Sequence, residues 1–135
     1  MNRGSRKVEK GVYRGYLKKA DDFYRGMKVA FEGSNWNSVG LEAVHCVISA
    51  NDALLAYYGG VRSVSRDHKD AARFLLDTID TEEAGKKAKH LRAVIAKKNL
   101  VEYENRSFIQ SEAEEIYRHT ERFYLWVRSM LPEER

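Results

Sequence analysis

The segment 34–60, SNWNSVGLEAVHCVISANDALLAYYGG, restricts what this chain can fold into more than any other part of it. Trp36, Val39, Ala43, Val47, Ala50, Leu54 and Tyr57 recur at alternating steps of three and four, which is helical spacing. A second stripe of Leu41, Val44, Ile48, Leu55 and Tyr58 runs along a neighbouring face. A surface helix needs one apolar stripe, so a helix with two is expected to be surrounded by other helices. Its polar residues Glu42, His45, Ser49 and Asp52 fall on one line, a narrow seam on an otherwise apolar rod.

The rest of the chain is compatible with such a rod at the centre. Pro132 is the single proline, so nothing before it interrupts long helices. There is no Asn-Gly or Asp-Gly hairpin signal and no sustained period-two run, so strands are not expected. A chain of 135 residues is long enough for one domain with a real core. Residues 1–7 read as a mobile basic tail and 8–135 as one helical domain.

Going along the chain, a first helix is expected over 8–31, with Tyr13, Leu17, Ala20, Tyr24, Met27 and Phe31 inward. Gly33 suits a left-handed position after it, and Ser34 or Asn35 suits a cap for the central helix. A third helix is expected over 66–78 behind Ser65, with Ala71, Phe74, Leu75 and Ile79 inward. Asp80 and Glu83 have capping-box spacing at the start of a fourth helix, 81–105. Ser111 and Glu114 have the same spacing before a last helix that ends at Pro132. The result is an all-α, antiparallel up-and-down bundle of about five helices.

Composition excludes several classes. Twenty-four basic and 20 acidic residues leave a net charge of +4, a mild bias unlike that of a dedicated nucleic-acid binder. Cys46 is the single cysteine, so no internal disulfide forms; between His45 and Val47 it reads as a small core residue. No uninterrupted apolar run approaches the roughly 20 residues that span a bilayer, and no secretory signal follows the basic start. The expected setting is the cytoplasm, with no membrane association. No metal or cofactor is expected, because the Glu42-x-x-His45 pair lacks the second such pair that a di-metal bundle uses.

Several segments together resemble the HEPN family, named for higher eukaryotes and prokaryotes nucleotide-binding. Tyr16-Leu17-Lys18-Lys19-Ala20 is similar to the family's opening helix, and the segment 43–58 to its Ala-Leu-Leu helix followed by aromatics. Asp67-His68-Lys69-Asp70 resembles its His-Lys pair, and Leu100-Val101-Glu102-Tyr103-Glu104 its acidic-tyrosine segment. A closing helix with Glu121-Arg122-Phe123 and Trp126-Val127 comes after them. The resemblance implies a bundle that pairs as a homodimer. It also implies association with nucleotides or RNA and partnership with a minimal nucleotidyltransferase, as in a toxin–antitoxin pair. The family's RNases carry an arginine, four to six residues, then a histidine.

Arg62 and His68 have that spacing and are the catalytic candidates for a metal-independent endoribonuclease, the alternative function. Histidine titrates near neutrality and can activate a 2′-hydroxyl, while arginine's fork of donors stabilises charge on phosphate. Ser63 stands directly after the arginine, where such RNases have Asn, Asp or His. The nucleotide- or RNA-binding candidates are Lys69, Lys86, Lys89, His90, Lys97, Tyr103 and Arg106. Lys86, His90, Ala93 and Lys97 share one side of the fourth helix, which reads either as a phosphate-tracking face or as a solvated one. A structural dimerisation module without ligand is the third reading.

Overall fold

The structure is a computed structural model that describes residues 4–64 and 70–133. Among these residues the chain forms α1 (Tyr13–Glu32), α2 (Trp36–Leu54), α3 (Ala71–Thr78), α4 (Glu82–Ile95), α5 (Lys98–Glu102) and α6 (Gln110–Met130). Two three-residue strands, β1 (Ser5–Lys7) and β2 (Val61–Ser63), pair antiparallel. The expected helical bundle is what the chain forms, with the expected fourth helix broken into α4 and the five-residue α5.

Contacts give the helix directions. Phe31 meets Trp36, Phe23 meets His45, and Tyr13 meets Tyr57, so α1 and α2 run antiparallel. Phe31 meets Tyr117 and Tyr24 stacks on Tyr124, so α6 runs antiparallel to α1. His90 meets His119, and Lys97 shares a crevice with Glu112, so α4 runs antiparallel to α6. The two apolar stripes of α2 are accounted for by this arrangement. Eleven of its residues are buried, from Val39 to Leu54, against α1 and α6 with α3, α4 and α5 completing the shell. Trp36–Gly59 is long and apolar enough to cross a membrane by length and composition, yet 72% of its most apolar window is buried inside the bundle. Neighbouring helices take up that apolar surface.

The ribbon and the helix boundaries depart from expectation in four places. Ser5–Lys7, assigned to a mobile tail, pair with Val61–Ser63, because Val8 N–H donates to the Gly60 carbonyl at 2.9 Å and brings the two segments together. The left-handed residue between α1 and α2 is Ser34, φ 56°, and Gly33 keeps a negative φ. Thr81, one residue beyond Asp80, caps α4; its hydroxyl accepts from Ala84 N–H at 3.0 Å. At α6 it is Glu112 that accepts from Ile109 N–H at 3.1 Å, so the helix starts before Ser111. Each cap moves by a residue or two because tertiary contact decides which turn closes first. The expected cap at Ser65 and helix start at 66 lie outside the described residues.

The end of α2 sets where the ribbon sits. Leu55–Gly59 form one π-helical turn, and Gly60 closes it at φ +60°, a left-handed conformation that side chains resist. This wide turn swings the chain out of the core and directly into β2.

Candidate functional site

Arg62 lies in the middle of β2, opposite Arg6 of β1. Side chains alternate along a strand, so these arginines share one face of the ribbon while Val61 and Ser63 share the other. Arg62 acts electrostatically on Asp52 near the end of α2. There the Asp52 carboxyl is pushed up to about 7 by burial, which the attraction of Arg62 and of Lys19 on α1 only partly offsets. The buried Nε of Arg62 has no hydrogen-bond partner among the described residues. A guanidinium nitrogen buried without an acceptor is costly, and an anionic oxygen is the group that satisfies it best. Arg62 of β2 and Lys19 of α1 both act on Asp52 of α2, and Arg6 is the cross-strand neighbour of Arg62.

The opposite face of the ribbon borders an open cleft of about 490 Å³, lined by Ser5, Tyr58, Gly59, Val61, Phe74, Asp77 and Thr78. Tyr58 is pinned there, its hydroxyl donating to the Met130 carbonyl. The cleft therefore lies where the π-helical turn, the ribbon and α3 meet.

The other sequence candidates are spread over the molecule. His68 and Lys69 lie outside the described residues. The line of polar residues on α2 divides into separate environments. Burial raises the Glu42 carboxyl above its ordinary value, with His45 pulling it down. His45 packs its ring on Phe23 and places Nε2 3.8 Å from Glu102 of α5. Lys98 pairs with the same Glu102 at 2.7 Å, which raises the lysine and lowers the carboxyl. Ser49 is buried. Among the described residues, no three His, Cys, Asp or Glu side chains gather to hold a metal ion.

On α4, Lys86 and Lys89 are exposed, but His90 and Lys97 face α6. The His90–Lys97 side is thus half of a helix seam, and the open basic surface is carried by Lys86, Lys89 and Arg92. Tyr103 is 74% exposed beside the Lys98 ammonium. Arg106 is held in a two-point pair with Glu112, both contacts at 2.9 Å, which locks the loop before α6.

Arg6 and Lys19 went unnoticed in the sequence. One sits in a segment without strand pattern, the other on an exposed face of α1. No local signal joins either to Arg62, because the ribbon that brings Arg6 close spans more than fifty residues of chain.

A central helix wrapped by antiparallel neighbours defines a helical-bundle domain. A model of the HEPN domain matches residues 13–130, and the chain belongs to that family. No curated protein and no solved structure shows a significant match.

Proposed function

We propose that this HEPN domain is a nucleotide- or RNA-associated module whose principal phosphate contact is Arg62. The observation that carries this reading is the buried Arg62 Nε without an acceptor among the described residues, with Arg6 directly across the ribbon. A phosphate oxygen would satisfy that nitrogen, and the neighbouring cations add attraction that falls with salt. In this reading the domain acts as a homodimer in the cytoplasm beside a minimal nucleotidyltransferase, and membership of a family often paired with such enzymes supports the partner. The test is titration of a fluorescent single-stranded RNA over a range of salt. Arg62→Ala is expected to weaken binding and to reduce the salt slope by about 1. Unchanged affinity and slope reject the reading. Co-purification with a co-expressed nucleotidyltransferase tests the partner.

A second reading, metal-independent RNA cleavage, is favoured by the Asp52 carboxyl. A carboxyl pushed up to about 7 beside an arginine suits proton transfer at neutral pH. It predicts cleavage of end-labelled RNA in the presence of chelator, abolished by Arg62→Ala and by His68→Ala. Full activity in either variant rejects it.

A further inference from the structure

Residues 4–20 carry Arg6, Lys7, Lys10, Arg14, Lys18 and Lys19 against a single acid, Glu9, and all of these cations are exposed. A chain of contacts joins several of them to Arg62. Arg6 is its cross-strand neighbour, and Val8 N–H donates to the Gly60 carbonyl at 2.9 Å where the ribbon begins. Lys10 holds its ammonium 4.2 Å from the ring centre of Tyr57, in the π-helical turn that leads to β2. Tyr57 meets Tyr13 edge to face at 4.9 Å, and the Arg14 guanidinium lies over that Tyr13 ring at 5.1 Å. Arg62, Arg6, Lys10 and Arg14 therefore succeed one another across the ribbon and onto the start of α1. Like charges directly across a ribbon destabilise it, and among the described residues no ion pair engages Arg6 or Lys10.

The next turn of α1 is bare. Gly15 is exposed, and a Cβ there would meet nothing within 4 Å. Glycine weakens a helix relative to alanine, and no packing contact among the described residues requires it at this position. Lys18 and Lys19, three and four residues on, flank the same face, with Lys18 paired to Asp22 at 2.8 Å. An exposed glycine between cations lets the backbone of an anionic ligand approach more closely than a side chain would allow.

Resting on the reading that Arg62 takes phosphate, we propose that the phosphate path continues from Arg62 over Arg6 and Lys10 to Arg14 and the bare backbone at Gly15. Its ligand is a single-stranded RNA of several nucleotides, not a mononucleotide.

The stretch from Arg6 to Lys18 extends up to about 25 Å along the chain, whereas stacked nucleotides advance about 3.4 Å per step. A protein partner fits this surface less well. Protein interfaces are poor in lysine and built around apolar anchors, and between residues 4 and 20 Val12 is the exposed large hydrophobic side chain.

The test is fluorescence anisotropy with end-labelled oligouridylates of two and twelve residues over a range of salt. The twelve-residue RNA is expected to bind at least tenfold more tightly than the two-residue one. An Arg6→Ala, Lys10→Ala double variant, changed only at exposed positions, should lose most of that advantage. Its salt slope should fall by about 0.7 for each cation removed. A Lys86→Ala, Lys89→Ala variant loses the same charge from α4 and should keep the advantage. Gly15→Ala should raise the thermal midpoint, since alanine favours the helix, while weakening the twelve-residue RNA several-fold. Equal affinity at both lengths, with Arg62→Ala still weakening binding, overturns the inference and leaves the role of Arg62 intact. Equal losses in the two double variants also overturn it, by assigning affinity to net charge alone. Unchanged RNA binding in Gly15→Ala overturns the close approach on α1. Absence of RNA binding at either length, including binding only to vesicles of anionic phospholipid, removes the Arg62 reading and the inference together.

Discussion

The Nδ1 atoms of His90 and His119 lie 2.9 Å apart, one ring from α4 and the other from α6. One imidazole must donate and the other accept, so the bond requires that at least one of them be neutral. His119 also places Nε2 3.8 Å from Glu115, one turn away on its own helix. His90 titrates below its ordinary value, because burial, His119, Arg122 and Lys87 all disfavour its cation.

Stability should therefore depend on pH with a definite sign. The folded protein binds fewer protons at His90 than the unfolded chain, so stability is complete above about 6.5 and declines as pH falls below it. Thermal unfolding between about pH 7 and 5.5 should show a falling midpoint. A His90→Gln, His119→Gln double variant should lose part of that slope and on the order of 1 kcal/mol at pH 7. An identical slope in the double variant would show that His90 does not set it.

The Arg106–Glu112 pair predicts a second, more acidic transition. Arg106 and the Ile109 N–H hold the Glu112 carboxyl down at about 2. A depressed carboxyl contributes stability above its unfolded value of about 4.5, and that contribution is lost as pH falls toward 2. Glu112→Gln should flatten the acid limb of the stability curve. At pH 7 it should cost about 0.5–1 kcal/mol, since the arginine is half-exposed. Chemical denaturation at pH 7, 4 and 3 measures both.

Gly40 is a contact residue of α2. A Cβ there would stand 2.9 Å from Val101 Cγ2 and 3.0 Å from Phe108 Cε2. Alanine gains roughly 1 kcal/mol of helix propensity, but overpacking costs about 1–3 kcal/mol. Gly40→Ala should therefore be destabilising by about 1 kcal/mol in urea unfolding. Adding Val101→Ala should recover part of the loss, and a stabilising Gly40→Ala would refute the close approach.

Cys46 should be chemically silent. It is fully buried, its thiol contacts the Ala20 carbonyl at 3.5 Å, and burial pushes its ionisation well above the usual thiol range. A thiol reagent at pH 8 should label it only as fast as the protein unfolds, and addition of urea should accelerate labelling. Rapid labelling of the folded protein would place the thiol at the surface.

The bundle was legible because helix-forming patterns are local. The double stripe of 34–60 required neighbours on several sides, and those neighbours are α1 and α6 with α3, α4 and α5. The inward rows of α1 and α6 were legible for the same reason, and Tyr13, Leu17, Ala20, Met27, Ile116, Phe123 and Val127 are all buried. Cap positions were less legible: Asp80 and Thr81 are both competent caps, and the choice depends on how α3 delivers the chain to α4.

Spacing along the chain thus determined which residues are helical, which faces are apolar and that α2 is central. The family resemblance marked Arg62 as a residue of interest. Only the tertiary structure decided what Arg62 meets. Three-residue strands carry no periodic signal, so the ribbon that sets Arg6 across from Arg62 is a product of packing. Whether a carboxyl at the end of α2 is an ordinary solvated acid or one raised to about 7 depends on the atoms that exclude water from it. Those atoms come from segments distant in sequence, and no local pattern encodes their arrival.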